Sequence, residues 1–361
     1  MNQDWELKTL GDVCKISWGN VDLTKKSYVY DGEYLAVSAA GCDGRIDFKE
    51  HNKFTPTLSA IGARCGRMFF PTEDFTAIKN TITFTPDKTK VFDKFLYYLL
   101  TYSELPKRGA AQPFISKRDL ENFKSFFPLT LEKQKQIVSK IDQAFSAIDT
   151  AKLNVEKNLK NAKELFQSKL TEIFSQKGEN WTEKSLVDIC DEIFAGGDAP
   201  KDNYSKDKTQ QYTIPIYANA VKNNGLYGYT NLSRVSKPSV TIAARGSGTG
   251  HTEIRIEPFY PIVRLIVLVP NDEVINLYLL KYSIQTLDIL SSGSAIPQLT
   301  VPMIKEYLIP VPPLSQQVNV VQLLDTLKEQ TQSLESKYQQ ELNSLEELKK
   351  SILEKAFAGE L

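Results

Sequence analysis

The chain has 361 residues, 41% of them apolar and 24% charged, which predicts two domains with cores of their own and excludes a disordered or fibrous protein. Its 44 basic and 44 acidic side chains cancel, which argues against a chain that grips a polyanion tightly by itself. No apolar run approaches the roughly 18 residues that span a bilayer, and MNQDWELKTL lacks the apolar core of a secretion signal, so a cytoplasmic protein without membrane contact is expected.

In chain order, the first feature is WELKTLGDVC at 5–14, which returns as WTEKSLVDIC at 181–190. Trp5 aligns with Trp181, Leu10 with Leu186, Asp12 with Asp188 and Cys14 with Cys190. The four cysteines, Cys14, Cys42, Cys65 and Cys190, form no C-x-x-C pair and are expected as reduced core thiols. Further on, Ile61-Gly62-Ala63-Arg64 is matched by Ile242-Ala243-Ala244-Arg245, and GAAQPFIS at 109–116 by GSAIPQLT at 293–300. Short β-rich runs with Gly/Asn turns, as in 32–46 and 212–230, precede a helical segment in each half, so both globules are expected to be mixed α/β. The apolar exits NFKSFFPL and EYLIPVPPL follow.

After each exit comes a long polar stretch with apolar residues every three or four positions and no internal Pro or Gly, the pattern of a helix with a coiled-coil seam. The expected seam uses Ile141, Ile148, Val155, Leu159 and Phe166 in the first helix and Leu324, Leu327, Leu334, Leu345 and Leu348 in the second. Landmarks in the two stretches keep one offset of 183: Gln134 and Gln317, Asp142 and Asp325, Leu170 and Leu353, Phe174 and Phe357. A helix of about 42 residues is a rod of roughly 60 Å, too long to bury its stripe on a small globule. Connectivity then requires the second helix to run back along the first. The expected architecture is two similar globules, 1–130 and 179–314, separated by two helices, 131–178 and 315–361, that form an antiparallel coiled coil with a pseudo-twofold axis. Residues 131–178 carry 9 basic and 6 acidic residues and 313–361 carry 5 and 8, opposite balances that suit the pairing.

Catalytic constellations are sparse. The two histidines, His51 and His251, stand in unrelated contexts, so neither a His-based triad nor a His-rich metal site can be assembled. GSGTG at 246–250 lacks the Lys-Ser/Thr of a P-loop and reads as a glycine turn. Polar turns are better represented. Arg64 and Arg67 flank Cys-Gly, Arg45 follows Gly44, and Arg245 leads into Ser247, Thr249 and His251. Lys222, Asn223, Asn224, Tyr227 and Tyr229 form a second cluster and Lys25 with Lys26 a third. Such side chains on turns bond base edges or phosphates in a groove, and these fourteen are the candidate DNA contacts. No catalytic or metal site is expected.

The opening W-x-x-K-x-L-x-D-V/I-C, the exits FFPLTLEKQKQIVSKID and IPVPPLSQQVNVVQLLD, and the ending SILEKAFAGEL together resemble the specificity (S) subunit of a Type I restriction–modification system, from about residue 4 to 361. One departure is LTLEKQ at 129–134 in place of the usual Pro-Pro-Leu exit, and the chain is short for the family. The resemblance implies two target-recognition domains, each reading one half of a bipartite DNA site, with the coiled coil setting the unread gap. It implies two modification (M) methyltransferase subunits bearing S-adenosylmethionine, and restriction (R) subunits bearing ATP and Mg. This chain would hold no cofactor and catalyse nothing itself. Two rivals are a specificity subunit for a fused methylase–nuclease outside Type I, and a scaffold whose globules bind protein or carbohydrate.

Overall fold

The structure is a computed structural model that describes residues 4–287 and 298–361, with the side chain of Ser247 outside the description. The chain divides into two compact units, Met1–Glu156 with Gln339–Leu361, and Lys157–Tyr338.

Unit 1 opens with β1 (Trp5–Thr9), one turn of helix α1 (Leu10–Val13) and β2 (Cys14–Trp18). Thr9 stops β1 and starts α1, because its hydroxyl accepts from the Asp12 N–H while the Asp12 carboxylate accepts from the Thr9 N–H at 2.9 Å. That reciprocal cap drives Leu10 and Val13, both 0% exposed, into the core. The chain continues as β3 (Tyr34–Ser38), β4 (Gly41–Ile46), β5 (Thr57–Ser59), β6 (Met68–Phe69), β7 (Phe75–Ala77), β8 (Thr81–Pro86), α2 (Asp93–Tyr102), α3 (Lys117–Glu121) and β9 (Lys124–Pro128). One sheet has the order β2-β8-β5-β6, a second β4-β3-β7, and β9 closes antiparallel on β1. Helix α2 buries Phe95, Leu96, Leu99 and Leu100, spaced to place one stripe on the core.

Unit 2 repeats this order: β10 (Thr182–Ser185), α5 (Leu186–Ile189), β11 (Cys190–Ala195), then a short added strand β12 (Tyr204–Ser205). Next come β13 (Ile214–Tyr217), β14 (Leu226–Thr230), β15 (Ser239–Ile242), β16 (Thr252–Arg255), β17 (Tyr260–Pro261) and β18 (Ile266–Pro270). It ends in α6 (Leu277–Gln285), α7 (Val301–Glu306) and β19 (Leu308–Val311). The sheets have the orders β11-β18-β15-β16 and β12-β14-β13-β17, with β19 on β10. These are the unit 1 orders with one strand added. Ser185 and Asp188 reproduce the Thr9–Asp12 cap. The repeated opening decapeptide is thus a strand, a capped turn and the entry to the main sheet. The close approach of Gly19 to the Ala77 and Ile78 backbone is repeated by Gly196 at Pro261 and Ile262, where a Cβ would lie 2.7 Å from the Ile262 nitrogen.

The two long helices are α4 (Leu131–Gln176) and α8 (Leu314–Ala358). The matched landmarks mark where each helix docks. Gln134, 0% exposed, accepts from the Phe92 N–H at 2.8 Å and donates to the Lys90 and Pro128 carbonyls. Gln317 does the same to the Asn276 N–H and the Val274 and Pro312 carbonyls in unit 2. Asp142 accepts from the Tyr98 hydroxyl and Asp325 from that of Tyr282. The far ends are equally specific: Leu170 and Phe174 of α4 enter the unit 2 core, and Leu353 and Ala356 of α8 enter that of unit 1. In unit 1 the pairing is antiparallel, with Lys349 on Asp149 and Lys152 on Glu346.

Seam residues Ile141, Ile148, Val155 and Leu324 are buried, and Leu159, Phe166, Leu327 and Leu345 are half-buried. Leu334 and Leu348 correct the expectation, being 37% and 46% exposed. On α8 the less exposed line runs through Leu324, Thr331, Tyr338, Leu345 and Ile352, and through Val321, Lys328, Glu335, Leu342, Lys349 and Ala356. Leu334 and Leu348 fall one residue before that second row, whose polar members lay aliphatic stems along the seam. The cysteines also depart in part: all four are free, Cys14 and Cys65 are buried and Cys190 is half-buried, but Cys42 is exposed. Burial pushes the Cys14 and Cys190 thiols up to about 12, so neither is a ready thiolate.

Candidate nucleic-acid interface

In unit 1 three connections meet at one edge. The β5–β6 turn needs glycine at Gly62 (φ +97°) and Gly66 (φ +93°), the left-handed region that other residues avoid. The Gly66 N–H donates to the Ser59 carbonyl and the Ser59 N–H to that of Arg67, both at 2.8 Å, closing the hairpin. From its crest, exposed Arg64 donates to the Ala40 carbonyl in the two-residue β3–β4 turn. The third connection is the 108–114 hairpin, whose Pro113 carbonyl accepts from the Gly62 N–H at 2.9 Å. Lys107 lies alongside: a Cβ on Gly66 would come 2.6 Å from its Cε. Arg67 holds its guanidinium 5.8 Å from the Phe69 ring centre. Lys107 and Arg108 therefore belong to this edge and were not among the sequence candidates, although the basic pair before Gly109 was a usable signal.

Other unit 1 candidates are placed differently. Arg45 lies toward the far end of β4, bound to Glu73 at 2.8 Å and to the Glu33 carbonyl, away from the three turns. Lys25 pairs with Asp43, and Lys26 beside it is exposed. Asp43 also accepts from Tyr28 and Ser38; despite its burial, the bonds from Lys25, Tyr28 and Ser38 hold its carboxyl below the usual range. It tethers Lys25 beside the β3–β4 turn.

Unit 2 builds the same edge with other residues. Leu58 faces Ile82 across β5 and β8 as Ile242 faces Ile266 across β15 and β18, and the Gly250 N–H donates to the Ala243 carbonyl as Gly66 does to Ser59. In this frame Arg245 stands where Ile61 stands, Gly248 where Arg64 stands and His251 where Arg67 stands. The expected equivalence of Arg64 and Arg245 is therefore wrong. Similar tetrapeptides were matched three residues away from the hydrogen-bond frame that the glycine turns fix. Both arginines are nevertheless exposed in corresponding loops, Arg245 with its backbone bridged to Gln298. Pro297, part of the second matched octapeptide, lies outside the described residues.

GSGTG is a turn rather than a phosphate cradle. The N–H groups of Thr249, Gly250 and His251 donate to the carbonyls of Gly246, Ala243 and Gly248, which leaves none of the three for an anion. Thr249 is buried with its hydroxyl on the Gly246 carbonyl, so it is not presented to solvent as expected. His251 sets Nε2 3.0 Å from a Glu253 carboxylate oxygen. Ser247 remains a candidate whose side chain lies outside the described part.

Beside this turn the β13–β14 connection carries Lys222, Asn223 and Asn224, all exposed. Asn223 and Asn224 both have φ +51°, a conformation asparagine accepts more readily than most residues. Tyr227 is exposed, its ring 5.8 Å from that of Tyr204, while Tyr229 is half-buried on β14. Asn219 joins the two connections, accepting from the Ala244 N–H and donating to the Arg245 carbonyl. A fork of arginine reads guanine and an asparagine amide reads adenine, so each edge has the chemistry to read base pairs.

Twin β-rich units, each with cationic side chains on adjoining turns and the second with asparagine amides beside them, define a tandem recognition protein. The Type I restriction modification DNA specificity domain matches at residues 2–161 and again at 178–344, so the chain belongs to that family. It is similar to a Mycoplasma pneumoniae protein named as a type I specificity subunit, 26% identical over 324 residues, which are 88% of this chain and 87% of that one. A Methanocaldococcus jannaschii protein named as the MjaX specificity subunit is 22% identical over 99% of this chain and 94% of its own. A structure from work on complex assembly and conformational transition of the type I R-M system superposes with a TM-score of 0.80 at 19% identity, covering 100% of this chain and 99% of the other. The crystal structure of the HsdS subunit from Thermoanaerobacter tengcongensis gives 0.65 at 20% identity, covering 100% and 98%; both support the fold. The chain is a non-catalytic DNA-recognition subunit of a type I restriction–modification system.

Proposed function

We propose that each unit reads one half of a bipartite double-stranded DNA site through its edge of adjoining turns, and that α4 and α8 set the number of unread base pairs between the halves. The observation that carries this is one scaffold with two sets of loops. Strand orders coincide but for the added β12, yet the connection corresponding to residues 39–40 of unit 1 is residues 219–224 in unit 2, and Arg64 is replaced by Gly248. Two methyltransferase subunits bound to the helices bring S-adenosylmethionine and flip an adenine in each half; restriction subunits bring ATP and Mg. The cancelled charge of this chain accords with partners that supply phosphate contacts. The test is a methylome of cells carrying this protein with its methyltransferase. A two-part motif with a constant gap is expected, and a contiguous motif or unaltered methylation would refute the proposal.

A further inference from the structure

Arg255, on β16, is 8% exposed. Among the described residues no carboxylate comes within ion-pair distance of it. Its guanidinium lies 3.6 Å from the centre of the Tyr217 ring, donates from Nε to the Thr241 hydroxyl at 3.3 Å and from Nη2 to the Asn224 carbonyl at 2.5 Å. Glu253, two residues before it on β16, acts on this charge only through space, and burying a cation without a direct ion pair costs stability that an apolar residue here would not incur. In the shared strand frame the unit 1 position is Pro71, and unit 1 also lacks the longer connection. The buried arginine and the extra loop residues occur together.

We propose that Arg255 is a positioning residue for base reading by unit 2. It holds the Asn224 carbonyl from beneath and so fixes the left-handed pair Asn223–Asn224, presenting their amides and Lys222 to DNA. Asn219 is its counterpart on the other side, tying the same connection to Arg245. Neither residue needs to touch DNA; both act through the loop they hold. The inference rests on the reading that unit 2 reads one half-site.

The test uses the full chain assembled with its methyltransferase subunits and a DNA library randomised separately in each half of the site. Arg255→Gln is expected to lower the preference for the correct bases in one half by about tenfold, the usual scale for losing a hydrogen bond from a charged donor, and to leave the other half unchanged. Arg255→Lys keeps a cationic donor over the Tyr217 ring and should stay within about threefold of the unaltered protein. Asn219→Asp, which removes the donor to the Arg245 carbonyl at a part-exposed site, should relax the same half as Arg255→Gln. If the unaltered complex shows no preference in either half, the reading of function fails. If it shows both preferences and well-folded Arg255→Gln and Asn219→Asp keep them, the positioning role fails while that reading stands. Loss in proportion to a lowered melting temperature, equal for Lys and Gln, would likewise overturn it.

Discussion

At the scale of single residues, the strand frame separates two arginines that share a motif. Arg64 is tied to the Ala40 carbonyl at the crest of the unit 1 turn, whereas Arg245 stands at the base of the unit 2 turn beside Gln298. Each is expected to matter in one half-site only. Arg64→Ala and Arg245→Ala should cost about 1–3 kcal/mol at different base positions, read from binding to DNA substituted one position at a time. Equal weakening on every sequence would make the residue a phosphate contact. His51 belongs to a different problem. It is half-buried against Phe75, at 5.1 Å between ring centres, and burial holds its pKa below the ordinary 6.5, partly opposed by Glu50. The unfolded chain therefore takes up this proton first as pH falls. Stability that His51 contributes is complete above about pH 6.5 and is lost as pH drops toward its folded value. His51→Gln should flatten the fall of denaturant stability as pH drops below about 6.5; an unchanged slope would show that the ring titrates alike in both states.

At the scale of elements, Gln134 and Gln317 decide how each long helix leaves its globule. Both are buried, and each side-chain amide satisfies one backbone N–H and two carbonyls. Gln134→Leu fills the same space and orphans those three groups, so a loss of about 2–4 kcal/mol in denaturant unfolding is expected. Gln317→Leu should behave alike, and a cost under about 0.5 kcal/mol would mean that water replaces the amide. The sequence showed these elements plainly because they repeat: Trp5 and Trp181, the two capped turns, and the offset of 183 all mark docking points that packing holds in place. Edges were harder to read. Arg45 is neutralised by Glu73, a partner 28 residues away, and Lys107 stands two residues before the repeated octapeptide, outside the matched pattern, yet packs beside Gly66. Arg255 offered no sequence signal, since a buried arginine in a strand of four residues looks like any polar strand residue. The seam was half legible for a physical reason. A row carried by the stems of Lys328, Glu335 and Lys349 leaves no apolar periodicity, whereas Leu334 and Leu348, one residue before it, carry the leucine spacing without the burial.

At the scale of the whole molecule, each long helix belongs in part to both units, with the division after Glu156 in α4 and after Tyr338 in α8. The 32 residues between Asp142 and Phe174, and equally between Asp325 and Phe357, lead from a docking point in one unit to a docking point in the other. The pairs Asp149–Lys349 and Lys152–Glu346 each set a half-buried lysine against an exposed carboxylate and add little energy, but they report the helix register in unit 1. Removing one heptad from both helices, residues 150–156 and the facing 342–348, preserves the 3.5-residue phase of the seam and shortens each by about 10 Å. At about 3.4 Å per base pair this predicts a gap shorter by about three base pairs. Because the edges at Arg64 and Arg245 are untouched, the bases read in each half should not change. The same deletion in α4 alone breaks the match and should leave a poorly assembled protein. A methylome of cells carrying the double deletion checks this: the same half-sites at an unaltered gap would remove the helices from any role in spacing.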